Sequence, residues 1–130
     1  MNIKNLETVA IYLESGDLKA AFSMRGFGDD RTNSCDTSCG SVGCVIGQGP
    51  YAGIPKLPDE GWYSYSDRVF GLADNLLAWD WCFAGAWADV DNTPQGAAKR
   101  IRYLLANGKP PEWFEEQWPD GGSLPPGGYV

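Results

Sequence analysis

Hydrophobic positions near the start of the chain recur at the spacing of an amphipathic helix. They fall on one face of a helix with 3.6 residues per turn, and Asn2 and Gly16 are residue types that commonly begin and end helices. We therefore expect a helix over residues 3–14. The positions on its apolar face are Ile3, Leu6, Ala10 and Leu13.

A second helix is predicted over residues 94–106 by its ends as well as by its pattern. Thr93 precedes Pro94, which is a typical start, while Asn107 and Gly108 are typical stop residues. The apolar positions between these ends repeat every three to four residues. They are Ala97, Ile101, Leu104 and Leu105.

The segment between residues 75 and 90 is apolar on nearly all sides if it is helical. Trp79, Phe83 and Trp87 then form one stripe, which predicts that this segment lies at the centre of the core. Asp80 interrupts the segment. Because a buried carboxylate without a partner is costly, Asp80 must reach solvent or pair with a cation, either Arg68 or a base of the helix at 94–106.

The remaining segments are shorter and richer in glycine and proline. We expect a short helix over residues 42–46, where small residues would let another helix approach closely, and a helix over 67–72 capped by Ser66. A last helical turn is expected over residues 112–118. Residues 28–39 contain no large apolar side chain and are predicted to form a surface loop, and residues 54–64 a proline-rich loop.

Together these elements predict a mainly α-helical fold, with a single compact domain over residues 1–118 and long loops rich in glycine and proline. The tail over residues 119–130 is expected to be flexible. A length of 130 residues, with 43% hydrophobic residues, fits one globular domain. We expect no membrane contact, because no apolar run could span a bilayer, and no secretory signal, because the N-terminus lacks an apolar core.

The balance of charges narrows the possible functions. Seventeen acidic and ten basic residues give a net charge of −7, which argues against a broad binder of nucleic-acid backbones. Residues 57–93 carry seven acids and a single base, Arg68, whereas residues 94–111 carry four bases and no acid. The two segments either neutralise each other within the fold or form separate acidic and cationic surfaces.

The absence of histidine removes every mechanism that needs imidazole as a base, a proton shuttle or a metal ligand. Carboxylate pairs are still available as acid and base, either Asp59 with Glu60 or Asp89 with Asp91. Asp91 is more simply explained as a turn residue before a helix. We therefore identify no catalytic residue, and a small hydrolase or another enzyme is kept only as the last alternative.

Four cysteines, Cys35, Cys39, Cys44 and Cys82, are candidate metal ligands or disulfide partners. Cys35 and Cys39 have the spacing of a zinc knuckle, but the second pair is split. A reducing compartment disfavours disulfides. We therefore expect unligated thiols, no metal and no cofactor, while a site formed by Cys39, Cys44 and Cys82 stays open.

Three blocks of the sequence resemble a group of small uncharacterised proteins encoded by phages and prophages. They are CGSVGCVIGQGPYAGI from position 39, RVFGL from position 68 and WDWCFAGAWADVDNTPQGAAKRIRYLLANGKP from position 79. In this group threonine is usual where the chain has Ser41, histidine is frequent at the position of Gln48, and Cys35 lies outside the pattern. The resemblance implies a phage origin and a cytoplasmic setting in the infected bacterium, and it implies no established activity.

The favoured hypothesis is a non-enzymatic binding protein that acts in phage counter-defence. Its acidic segment would occupy a cationic surface of a host defence protein and thereby inhibit that protein. Asp59, Glu60 and Asp67 are the expected contact residues, because they lie in a loop and in a first helical turn.

An alternative hypothesis is a protein that sequesters a nucleotide immune signal. Aromatic rings would stack on the base and guanidinium groups would pair with phosphate. The candidate ligand-binding residues are Trp79, Trp81, Trp87, Arg100, Arg102 and Tyr103. The net charge of −7 opposes the capture of an anion, and the same aromatic residues could simply form the core.

Overall fold

The computed structural model describes residues 1–18, 22, 24, 44–73, 75–84, 87 and 90–117. Within these residues the chain is mainly helical, which confirms the predicted fold class. The helices are α1 (Ile3–Ser15), α2 (Val45–Gln48), α3 (Trp62–Phe70), α4 (Leu77–Phe83), α5 (Pro94–Asn107) and α6 (Glu112–Gln117), with a 3-10 helix at Pro50–Ala52. The tail predicted over 119–130 and the loop predicted over 28–39 lie outside the described residues.

The two helices with the clearest sequence patterns, α1 and α5, begin and end where their capping residues predict. The Asn2 side chain accepts a hydrogen bond from the Asn5 backbone N–H, and the Thr93 hydroxyl accepts one from the Gly96 backbone N–H, both at 3.0 Å. Each helix is followed by a glycine in the left-handed conformation, with φ 78° in both cases. Both predicted helices are therefore confirmed to within one residue.

The most extensive interface between helices in the described residues is formed by α1 and α5. The predicted apolar faces of both helices are buried, apart from Ile3, which is exposed, and Leu105, which is half-buried. Burial of this apolar surface is the main favourable contribution to folding. The buried residues are Leu6, Val9, Ala10 and Leu13 on α1, and Gly96, Ala97, Ala98, Arg100, Ile101 and Leu104 on α5.

The helix α3 begins five residues before the helix predicted at 67–72. Gly61 precedes it in an extended conformation, and apolar side chains at helical spacing face the core. The prediction that Ser66 caps this helix is wrong, because Ser66 lies in the middle of α3 and is buried, with its hydroxyl donating to the Tyr63 carbonyl at 2.9 Å. The apolar residues on the core face are Trp62, Tyr65, Val69 and Phe70.

The helix α4 is shorter than the apolar segment at 75–90 that predicts it. It ends at Phe83, and the next residue, Ala84, is extended with ψ 139°. Trp87 therefore does not continue the helical stripe but returns to the core, where its indole N–H donates to the Asp80 backbone carbonyl at 3.1 Å. The prediction that Trp79, Phe83 and Trp87 lie in the core is confirmed, since each is buried.

The indole ring of Trp81 lies at the centre of the aromatic core. It makes edge-on contacts with rings from the segment after α4, from α5 and from α6, at centroid distances of 5.1 to 5.7 Å. Its N–H donates to the Arg100 carbonyl at 2.8 Å, so this buried polar atom is satisfied. The rings around Trp81 belong to Trp87, Tyr103, Trp113 and Phe114. The helical turn predicted at 112–118 is thus confirmed as α6, and it closes the core.

A glycine immediately after α2 permits a close approach to α3. A Cβ atom at Gly49 would overlap the Tyr65 hydroxyl, so only glycine fits there without a shift of the ring. The Tyr65 hydroxyl donates to the Ile54 carbonyl, and burial raises the pKa of Tyr65. The helix predicted at 42–46 is found from Val45 to Gln48, while residues 42 and 43 lie outside the described residues.

None of the helices in the described ranges is long and apolar enough to cross a membrane.

Candidate functional site

The acidic residues predicted to bind a partner lie in α3 and in the turn before it. This turn is closed by a hydrogen bond of 3.1 Å from the Glu60 N–H to the Leu57 carbonyl. Asp59 occupies its third position with φ 63°, a left-handed conformation that aspartate tolerates better than most residues other than glycine. Pro58 precedes it, as is common in such turns. The turn leaves the Asp59 side chain exposed to solvent.

Glu60 differs from its neighbour because its carboxylate turns back onto the protein. The Arg68 guanidinium donates to both carboxylate oxygens at 2.8 Å, and the Leu57 N–H donates to one of them at 3.0 Å. Hydrogen bonding from Arg68 lowers the pKa of Glu60, and the Glu60 side chain is 8% exposed. Glu60 therefore stabilises the turn, and it presents little charge to a partner in this conformation.

The cations next to the turn are held by groups of the protein itself. Arg68, besides its pair with Glu60, donates to the Pro55 carbonyl at 3.1 Å, and it is therefore not the partner of Asp80. The Lys56 ammonium group donates to the Glu60 carbonyl at 2.6 Å. Arg68 is also the single base of residues 57–93. The positive charge near the turn is thus committed to internal contacts.

The exposed side of α3 carries the other predicted carboxylate. Asp67 is exposed, and Tyr63, one helical turn earlier, is 52% exposed. Ser64 lies beside them and is also exposed. In the part of the chain that the structure describes, neither Asp59 nor Asp67 forms an ion pair. We call these four residues, Asp59, Tyr63, Ser64 and Asp67, the α3 face.

Two features of this region were not predicted from the sequence. They are the exposure of the Tyr63 ring and the ion pair of Glu60 with Arg68. The four-residue spacing of Tyr63 and Asp67 is the one local signal that places them on the same helix face. The ion pair joins a turn to a helix, so no helical spacing rule reveals it.

The residues of the predicted nucleotide site divide into three groups. Trp81, Trp87, Arg100 and Tyr103 come together in the core, where the Arg100 guanidinium lies 4.4 Å from the centre of the Trp87 ring. Trp79 and Arg102 each lie apart from this group. Because Trp81, Trp87 and Arg100 are fully buried, a ligand could reach their faces only if the core opened.

Trp79 and Arg102 contact other parts of the fold. Trp79 packs against Phe83 at 5.6 Å between ring centroids, and its indole N–H donates to the Ser66 hydroxyl at 2.9 Å. Arg102 pairs with Glu14 across the α1–α5 interface at 2.9 Å, and this contact lowers the pKa of Glu14. The six residues are therefore not assembled on one accessible surface, and their contacts are those of a core and its rim.

Asp91, one of the carboxylates considered for acid–base chemistry, contacts other groups of the fold. The Asp91 carboxylate accepts a hydrogen bond from the Thr93 hydroxyl at 2.5 Å and lies directly against Gly96. The neighbouring Asn92 side chain accepts one from the Met24 backbone N–H at 2.6 Å. Residues 91–96 thus build the start of α5 and attach a preceding segment to it. Asp89 lies outside the described residues.

The two cysteines that the structure describes are both buried, and neither forms a disulfide bond. Burial raises the pKa of the Cys82 thiol to about 12, against a smaller opposing influence from the charge of Arg100. Cys82 is therefore a protonated, unreactive thiol at neutral pH. Among the described residues, no group of three or more histidine, cysteine, aspartate or glutamate side chains is arranged to hold a metal. Since Cys35 and Cys39 lie outside them, the expectation about zinc stays a prediction.

Within the described residues, the α3 face is a surface that carries carboxylates outside any ion pair. The α3 face combines two exposed carboxylates with an exposed aromatic ring. The adjacent cations, Lys56 and Arg68, are engaged with Glu60. Such a surface suits a cationic partner better than an anionic ligand.

No protein-family model, curated protein or solved structure matches this chain.

Proposed function

We propose that this chain is a non-enzymatic binding protein of phage or prophage origin that inhibits a host defence protein. Its α3 face covers a cationic surface of that protein in the cytoplasm of the infected bacterium. The observation that carries the proposal is the exposure of Asp59 and Asp67 beside cations that are already paired. The resemblance of the sequence to small phage-encoded proteins supports the biological setting.

Inhibition in this proposal requires no chemical step on the chain. Surfaces that bind nucleic acids or nucleotides are cationic, because they pair with phosphate groups. An acidic protein seated on such a surface competes directly with the ligand. The net charge of −7 accelerates the encounter with a cationic partner and disfavours anionic competitors.

The proposal can be tested by measuring how efficiently phages form plaques on bacteria that each carry one defence system. The wild-type chain should restore plaque formation against at least one system. The double reversal of Asp59 and Asp67 to lysine should lose this restoration. The matched control reverses Glu112 and Glu116, two exposed acids on α6, and changes the net charge equally.

The outcome depends on the difference between the two double variants. Loss of restoration in the α3 variant and its retention in the α6 variant would support the proposal. The proposal would be wrong if both double variants still restored plaque formation. It would also be wrong if the wild-type chain restored plaque formation against none of the defence systems. Circular dichroism of both purified variants confirms that they are folded.

A further inference from the structure

We infer that Tyr63 is the anchor of the interface on the α3 face, and that its partner is a protein surface where lysine or arginine side chains surround an apolar pocket. The inference rests on the proposed function and adds the chemistry of the partner. The Tyr63 ring would enter the pocket, while Asp59 and Asp67 would meet the surrounding cations. Aromatic side chains in such positions commonly carry most of the affinity of an interface.

The ring of Tyr63 is exposed and nevertheless held in place. It packs against the Trp79 ring, with 5.6 Å between centroids and an interplanar angle of 34°. Trp79 is fixed in turn by its hydrogen bond to the buried hydroxyl of Ser66. An exposed aromatic side chain that is already ordered loses little conformational entropy on binding, which favours its use as an anchor.

The surroundings of Tyr63 decide which partner fits. Asp67 lies one helical turn after Tyr63, and Asp59 lies in the turn that precedes α3; both are exposed, and their negative charge would repel phosphate groups and acidic lipids. Leu57, in the same turn as Asp59, is a further exposed apolar residue in the segment that leads into α3. Charge complementarity together with apolar area therefore favours a basic protein surface over a nucleic acid, a nucleotide or a membrane.

The two kinds of contact should have separable effects. Exposed carboxylates mainly steer association, so their removal lowers the rate of association and the salt dependence of binding. Removal of an anchoring ring mainly accelerates dissociation and leaves the salt dependence unchanged. This difference distinguishes an anchor from a general electrostatic contact.

Two synthetic peptides of equal positive charge serve as probes. One is an amphipathic peptide of leucine and lysine, and the other replaces every leucine with serine. We expect wild type to bind the leucine peptide at least about tenfold more tightly, and Tyr63→Ala to lose this preference with an unchanged salt slope. Tyr63→Phe should retain the preference. Ile11→Ala, which removes a side chain that is 54% exposed on α1, is the matched control and should have no effect.

The outcomes separate the inference from the proposed function. One outcome is that the double variant Asp59→Asn with Asp67→Asn binds both peptides more weakly, while Tyr63→Ala binds them as wild type does. Tyr63 is then not the anchor, and the proposed function is unaffected. If the asparagine variant binds both peptides as wild type does, the α3 face is not the binding surface and the proposed function falls with the inference. The serine peptide can also be added while the chemical shifts of the protein are followed. If these shifts change to a similar extent at all exposed acidic residues, the proposed site is wrong.

Discussion

Two regions of this molecule place an arginine over an aromatic ring, and they do so in opposite surroundings. In the core, the Arg100 guanidinium lies 4.4 Å from the centre of the Trp87 ring, and both side chains are fully buried. At the surface, the Arg68 guanidinium lies 5.7 Å from the centre of the Tyr65 ring and is 41% exposed. Arg68 also pairs with Glu60.

The comparison shows why residue type alone is a poor guide to a binding site in this chain. The core residues have the composition of a nucleotide pocket, yet their rings face one another and their indole N–H groups bond to backbone carbonyls. A planar guanidinium stacked on indole can be accommodated in a core at a lower desolvation cost than an ammonium group. At the surface, the paired cation leaves the adjacent carboxylates facing solvent.

The largest effect is expected for Trp81→Ala in the core. We expect a loss of about 3–5 kcal/mol in the free energy of unfolding, because a large buried ring with four aromatic neighbours is removed. Urea denaturation followed by circular dichroism measures it. Trp81→Phe retains much of the ring and removes the N–H donor to Arg100, so its loss should be smaller. A loss below about 1 kcal/mol for the alanine variant would show that this ring is not the centre of the core.

The next largest effect is expected at Gly96, where α5 meets the Asp91 carboxylate. Alanine normally stabilises a helix by about 1 kcal/mol relative to glycine. Here its Cβ would overlap the carboxylate, so Gly96→Ala should instead destabilise the protein by about 1–2 kcal/mol. In the Asp91→Ala background the same substitution should become stabilising. Equal effects in both backgrounds, measured by chemical denaturation, would rule out the contact.

A smaller effect is expected from the ion pair that holds the turn before α3. Because hydrogen bonding from Arg68 lowers the pKa of Glu60 below its ordinary value of 4.5, the folded state favours the ionised carboxylate. The pair thus stabilises the protein above that pH, and its contribution is lost as the pH falls through the lowered pKa. Glu60→Gln should cost up to about 1 kcal/mol at pH 7, since Arg68 is partly solvated.

The pH dependence provides the check on this ion pair. The difference in unfolding free energy between wild type and Glu60→Gln should shrink when denaturation is repeated near pH 3. A difference that is independent of pH would mean that the glutamine variant acts through packing and not through charge. Glu14→Gln is the corresponding variant at the rim of the α1–α5 interface. The pKa of Glu14 is also lowered, by its hydrogen bond with Arg102, and its carboxylate is more exposed than that of Glu60.

The smallest effects on stability are expected for the α3 face itself. Asp59→Asn and Asp67→Asn should each change the free energy of unfolding by no more than about 0.5 kcal/mol, because both side chains are exposed and form no ion pair with the described residues. Thermal denaturation at pH 7 measures this. A clear loss of stability in either variant would show that the carboxylate stabilises the fold. The α3 face would then resemble the core, where the polar groups serve folding.

The helices α1 and α5 were predictable because their signals are local. Asn2 and Thr93 cap backbone groups three residues away, and Gly16 and Gly108 adopt a conformation that few other residues tolerate. The start of α3 was not predictable in the same way. Ser66 is a good capping residue by type, but its hydroxyl is used inside the core as the acceptor for Trp79.

The sequence by itself determined the helical class, the two long helices with their caps, the burial of the tryptophan-rich segment and the acidity of residues 57–93. These properties depend on periodicity, on composition and on contacts within a few residues. Only the tertiary structure decided that Arg100 is buried on Trp87, that Glu60 and not Asp59 holds Arg68, and that Tyr63 faces solvent. Each of these outcomes depends on how the chain path brings separate elements together, and no local rule of spacing encodes that path.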